Sequence, residues 1–162
     1  SPATILNRLR TNIINHLNQS ANDKVAGDGL DLSLVSIDME NNMLEFSGAM
    51  NPVYILRSNN FIELKGDRMP VGFFDNEDRP FSSTSFSIKK NDQLFMFTDG
   101  YYDQFGGQEG HKMKTARFKE ILMAAAGKSP NEQYNIVEKA FNEWKNNHHQ
   151  VDDVLVMGID FR

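Results

Sequence analysis

The order of elements along the chain predicts an α+β domain of antiparallel β-sheet layers with flanking antiparallel helices. Three observations carry that expectation. An amphipathic helix pattern opens the chain, a run of strand patterns with short polar turns fills its middle, and two amphipathic helices followed by one strand close it. Turns as short as Glu40-Asn41-Asn42 and Ser58-Asn59-Asn60 demand antiparallel neighbours. One face of the sheet is expected against the C-terminal helix pair, with the first helix on the same layer. The 162 residues have ordinary apolar and charged content and read as a single domain able to bury a core.

Composition narrows the function classes. A formal net charge of -5 is a mild acidic excess and argues against nucleic acid, whose binders carry a basic footprint. With no cysteine there is neither a disulfide framework nor a thiolate metal site. No apolar run approaches the ~18 residues that span a bilayer, and no signal-like segment opens the chain. The expectation is a cytoplasmic protein without direct membrane contact, although a parent protein could be membrane-tethered through another part.

Residues 2 to 16 or 17 form the first helix: Ser1 caps it, Pro2 suits its first position, and Ile5, Leu6, Leu9, Ile13, Ile14 and Leu17 line one stripe. His16 lies beside that stripe with no second ligand at helical spacing and reads as surface. Residues 18 to 29 read as a loop, and Asp28-Gly29-Leu30-Asp31 as a turn with charges at a strand entry. A meander follows, with Leu32, Leu34, Val35 and Ile37 on one strand, residues 43 to 49 and 53 to 57 on the next two, and Phe61-Ile62-Glu63-Leu64 on a fourth. Leu44, Phe46, Val53 and Ile55 face its core side. Asn51-Pro52 interrupts the ladder and marks a bend or edge.

Met69-Pro70-Val71-Gly72 is a loop with apolar side chains, which suits a plug over the core. Residues 75 to 84 are polar and expected to be mobile. Phe86 and Ile88 begin a strand that Lys89-Lys90-Asn91-Asp92 turns into residues 94 to 98. Gln104-Phe105-Gly106-Gly107-Gln108-Glu109-Gly110 reads as a flexible loop; no Gly-Lys-Ser/Thr follows, so it is not a phosphate-cradling one. Residues 114 to 126 form a helix burying Phe118, Ile121, Leu122 and Ala125, ended by Gly127. Ser129-Pro130-Asn131-Glu132 has the form of a capping box, and Ile136, Val137, Ala140, Phe141 and Trp144 make the apolar face of the helix it starts.

Two acidic stretches stand out. The apolar run Leu94-Phe95-Met96-Phe97 reads as a buried strand and stops, after Thr98, on Asp99-Gly100. A carboxylate at a strand end is held rigidly at a cleft edge, where a metal ligand would be placed, and Gly100 permits close approach or a positive φ. Asp-Gly is equally a hairpin-turn signal. Near the C-terminus, Asp152-Asp153 precedes another apolar strand; adjacent like charges repel unless a cation or basic group lies nearby. Hard cations such as Mg²⁺ and Mn²⁺ take such oxygen ligands, while a solvated loop is the plain reading. His148-His149 suggests zinc, but neighbours on an extended segment point to opposite faces, which makes joint ligation awkward.

The order of Gly29-Leu30-Asp31-Leu32-Ser33-Leu34, Gly48-Ala49-Met50-Asn51-Pro52, Gly66-Asp67-Arg68-Met69-Pro70-Val71-Gly72, Phe97-Thr98-Asp99-Gly100 with Asp103, and Gln150-Val151-Asp152-Asp153 resembles the SpoIIE/RsbU-type branch of the PPM metal-dependent serine/threonine protein phosphatases. The likeness runs over nearly the whole chain. In that family the domain opens with an Asp-Gly metal motif and an Asp-x-x-Gly-His-Gly motif that are not found here, so the chain resembles the C-terminal part of a phosphatase domain. The resemblance implies two Mg²⁺ or Mn²⁺ ions in the intact domain, a bridging water aimed at a serine or threonine phosphate, and an incomplete site in this fragment. It carries over Asp99 and Asp152 as ligands, with Asp153 as the fallback, Gly100 beside them, and Asp103 as an outer-sphere partner. It also puts the Met69-Pro70 loop near the metal edge. The implied substrate is a phosphoprotein of the kind that antagonises an anti-sigma factor, acted on by the output domain of a larger regulator. Sheet surface covered by the missing strands would be exposed, which leads to an expected homo-oligomer joined through the sheet. The rival is a non-catalytic signalling module of the same fold without its metal site.

Overall fold

A computed structural model describes residues 1–17, 29–74 and 79–162; the expected loop over 18–28, with Asp28, lies outside the described residues, as does 75–78. In chain order the elements are α1 (Pro2–His16), β1 (Leu32–Asp38), β2 (Met43–Ala49), β3 (Val53–Arg57), β4 (Asn60–Leu64), β5 (Thr84–Ser87) and β6 (Gln93–Phe97). There follow α2 (Gly100–Asp103), β7 (Phe105–Gly106), β8 (His111–Lys112), α3 (Lys114–Ala125), α4 (Pro130–Lys145) and β9 (Val156–Asp160). The chain divides into two compact units, residues 1–54, 63–92 and 161–162, and residues 55–62 and 93–160.

The first unit holds α1 and an antiparallel sheet of order β1-β2-β5. Ala3, Leu6, Ala49, Met69, Val71 and Phe81 form a core there, with Leu9, Ile13, Leu32 and Leu34 packed on it. Met69 and Val71 therefore act as the expected plug, and Leu30 and Val71 exchange backbone hydrogen bonds of 3.1 and 2.9 Å. The helix stripe is rotated from the expected one: Ile5 and Leu17 are exposed, while Arg10 is buried. Arg10 is accommodated because its guanidinium lies 5.2 Å from the Phe81 ring centroid and 3.5 Å from Met69 Sδ. The described part of the stretch expected to be mobile is tied down. The Asp67 carboxylate accepts from Ser82 N at 2.8 Å and from Arg79 at 3.3 Å, and Ser83 Oγ accepts from Ala3 N at 3.2 Å.

The single meander sheet is not formed. β1 and β2 make a hairpin, whose turn Asp38 caps by accepting from Asn41 Nδ2 at 2.8 Å and from Asn41 N at 3.0 Å. Those bonds to Asn41 hold the Asp38 carboxyl below its usual range. After Ala49 the backbone bends, with Met50 at φ 61° and Pro52 lacking a donor, and β3 joins a second sheet of order β4-β3-β6-β9. Nor do residues 86 to 98 form a hairpin, since β5 pairs with β2 and β6 with β9.

The second unit contains most of that four-stranded sheet, α2, the β7-β8 hairpin, α3 and α4. Phe118 of α3 packs edge-on against Phe97 of β6 at 5.0 Å, and Tyr101 bridges Phe118 and Phe141 at 4.7 and 5.1 Å. Tyr101 Oη donates to Val137 O at 2.7 Å, and burial pushes its phenol well above the ordinary tyrosine range. The glycine-rich stretch is no loose loop: β7 and β8 pair, and Gly107 N donates to Trp144 O at 2.9 Å.

The capping box of α4 is complete, with Ser129 Oγ accepting from Glu132 N and Glu132 Oε2 accepting from Ser129 N at 3.0 Å. The Ser129 hydroxyl also donates to Glu132 Oε2 at 2.6 Å, and that bond, together with the one from Ser129 N, holds the Glu132 carboxyl below its usual range. A depressed carboxyl stabilises the fold above its unfolded pKa and loses that contribution as pH falls through the folded value. Ser129→Ala is expected to lower the thermal midpoint by roughly 3 °C at neutral pH, with a smaller deficit in acid, as measured by circular dichroism.

Candidate metal centre

Asp99 caps α2 with helical backbone, φ -67° and ψ -21°, and its carbonyl accepts from Asp103 N at 2.9 Å. The hairpin reading of Asp99-Gly100 is thereby overturned; the chain leaves β6 into a helical turn. Gly100 is buried, and close approach rather than unusual φ demands glycine. A Cβ there would strike the Asp153 carbonyl oxygen and lie 3.1 Å from Asp153 C and 3.2 Å from Asp152 Cβ. Two acidic motifs far apart in sequence thus meet where β6 ends and β9 is about to begin.

Thr98 fastens the junction. Its N donates to Leu155 O at 3.1 Å, its hydroxyl donates to Asp153 O at 2.8 Å, and the same oxygen accepts from Leu155 N at 2.9 Å. Asp99, Asp152 and Asp153 are exposed, so none of their charges is stranded in the interior. Asp152 Oδ1 accepts from Asp153 N at 2.7 Å, and Gln150 Nε2 donates to Asp152 O at 2.9 Å. Asp103 is half-buried and ion-paired with Lys112 at 2.7 Å. His148 and His149 are exposed, and Asp31 belongs to the first unit.

Among the described residues no three histidine or carboxylate side chains converge as a ready metal cage. The candidate donors that Gly100 and its contact with residues 152–153 bring to this junction are carboxylate oxygens only, all exposed. That set fits a hard divalent ion, because Mg²⁺ keeps several waters and uses one or two carboxylates. Two residues bonded around this junction carry little sequence signal. Thr98 stands inside an apolar strand pattern. Gln104, fully buried after α2, stands in a stretch dominated by glycine.

The family model of stage II sporulation protein E (SpoIIE) matches residues 1–162, and the chain belongs to that family. No individual curated protein sequence matches it. Its fold, mixed helices and antiparallel sheets, is that of PP2C-type phosphatase domains. It is similar to the SiaA-PP2C domain of Pseudomonas aeruginosa, with TM-score 0.87 and 26% identity over 99% of this chain and 61% of that one. The SpoIIE phosphatase domain of Bacillus subtilis aligns with TM-score 0.62 and 15% identity, over 99% and 73% of the two chains. The RsbU and RsbW domains of a Mycobacterium tuberculosis protein align with TM-score 0.62 and 16% identity, over 96% and 46%. The chain thus spans 61% of the length of the SiaA domain.

Proposed function

We propose that this chain carries part of the metal centre of a PPM-type protein serine/threonine phosphatase. It acts in the cytoplasm, as the output domain of a larger regulator, on a phosphorylated signalling protein of the anti-sigma-antagonist kind. The observation that carries the reading is the seating of Asp152 and Asp153 on Gly100, next to Asp99. Membership in the SpoIIE family supports it. No described helix is long and apolar enough to cross a membrane.

Asp99 and Asp152 are assigned as ligands of one Mg²⁺ or Mn²⁺, with Asp153 as the alternative to Asp152. When bound, such an ion supplies Lewis acidity to phosphoryl transfer. The chain's own residues do the placing. Gly100 lets the two acidic backbones touch, Thr98 fixes their register, and the Lys112 ion pair holds Asp103 where it orients the ligand shell from outside.

Titration of Mn²⁺ into the 162-residue chain tests the assignment. Asp99→Asn and Asp152→Asn are each expected to weaken binding by at least ~10-fold, and Asp153→Asn by less. Equal affinity in all four proteins would defeat it. Phosphopeptide turnover by this polypeptide alone is expected to stay at background even in millimolar Mn²⁺, because the bridging aspartate that the resemblance calls for is not in its sequence. Turnover abolished by Asp99→Asn would refute that. The second reading is a non-catalytic module of the same fold, and an absence of Mn²⁺ binding by the unsubstituted chain would select it.

Self-association through the sheet is also proposed. β1 is an edge strand, and Met39 and Met43 at its hairpin are exposed. Light scattering is expected to give a dimer mass at high concentration; a monomer mass there rejects it.

A further inference from the structure

Gln104 follows α2 directly and is completely buried. Its Nε2 donates to His149 O at 2.8 Å and to Phe105 O at 2.9 Å. Its backbone carbonyl accepts from Trp144 Nε1 at 2.9 Å and from Met113 N at 3.1 Å. Both side-chain partners are carbonyl oxygens, so the amide can face them only with its nitrogen. Oε1 is then left in the interior with no hydrogen-bond partner among the described residues.

An orphaned buried carbonyl costs about as much as two donated hydrogen bonds return, so the amide contributes little net stability. An apolar side chain of similar shape would serve the core equally. What it would not do is hold His149. From His149 the chain runs straight into the acidic pair, and Gln150 reaches forward to the Asp152 carbonyl. The start of α2 and the residue just after it therefore grip this segment twice, through Gly100 against Asp152 and Asp153, and through Gln104 on His149.

We propose that Gln104 is a positioning residue that sets the path of residues 149–153 and, through it, the place of Asp152 relative to Asp99. Part of its consequence rests on the proposed metal centre, and the test separates the two. In Gln104→Met the side chain keeps its approximate volume and loses both donated bonds. Without metal, amide hydrogen exchange at Asp153 and Leu155 is expected to quicken at least ~10-fold, with α4 and β6 unchanged and the thermal midpoint within about 3 °C. Unchanged exchange at those two amides overturns the proposal. So does faster exchange across α4 and β6 with a lowered midpoint, or a variant that does not fold, since either makes Gln104 an ordinary core residue.

Mn²⁺ affinity is expected to fall ~10-fold in the same variant, and equal affinity in both proteins overturns the link to Asp152. If the unsubstituted chain binds no Mn²⁺, the metal reading fails while the exchange comparison still decides the role of Gln104.

Discussion

Gly100→Ala is expected to lower the thermal midpoint by roughly 6–12 °C and to abolish Mn²⁺ binding. The added methyl would meet backbone, the Asp153 carbonyl group, rather than the yielding end of a side chain. Relief requires the 152–153 segment to lift away from α2. That movement pulls on Thr98, whose hydroxyl both donates to Asp153 O and accepts from Leu155 N. Overpacking and stretched hydrogen bonds together cost about 3 kcal/mol. The displacement also separates Asp99 from Asp152, so binding suffers beyond what stability alone predicts. The contrast is Gly100→Ala against Ser129→Ala, measured by calorimetry and Mn²⁺ titration. Ser129→Ala, at the start of α4, loses stability but retains affinity. A Gly100→Ala protein with an unshifted midpoint would show that the two acidic motifs are not in contact.

Features coded by adjacent residues were legible in the sequence, and features coded by distant partners were not. The start of α4 was readable because Ser129 and Glu132 satisfy each other's backbone within one turn. The strands at β2 and β3 were readable from their apolar patterns, and the break between them from Asn51-Pro52. Where β3 went was not, because a strand's hydrogen bonds are satisfied equally well by any neighbour of suitable register. The rotation of α1 escaped periodicity because Arg10 counts as polar in any stripe, and the contacts that make its burial tolerable, among them Met69 and Phe81, lie far away in sequence. At the site, the carboxylates of Asp99 and Asp152 were visible as charges ending or opening apolar strands. The role of Gly100 was half legible. Asp-Gly signals both a reversing turn and a close approach, and the choice depends on Asp153, distant in sequence. Gln104 left no trace, since its partners His149 and Trp144 come from the other end of the unit.

Gly106→Ala is expected to do damage of similar size in a different place. A Cβ at Gly106 would collide with the Trp144 carbonyl oxygen and lie 2.6 Å from Trp144 C and 2.8 Å from its ring Cδ1. The last turn of α4 is fixed by its own helix bonds, so the β7-β8 hairpin has to give way. Gly107 N then loses its 2.9 Å bond to Trp144 O, and Trp144 Nε1 its 2.9 Å bond to Gln104 O. Two buried or half-buried polar groups lose partners as the packing opens, a loss of about 3–4 kcal/mol and roughly 6–16 °C in midpoint. Trp144 is the single tryptophan of the chain, so its fluorescence reports the change directly. A red-shifted emission is expected in the native baseline of Gly106→Ala, before any thermal unfolding. The Arg117 guanidinium, 4.5 Å from that ring centroid, should lose its stacking at the same time. An emission maximum and midpoint both unchanged would mean that the hairpin does not pack on α4 as described.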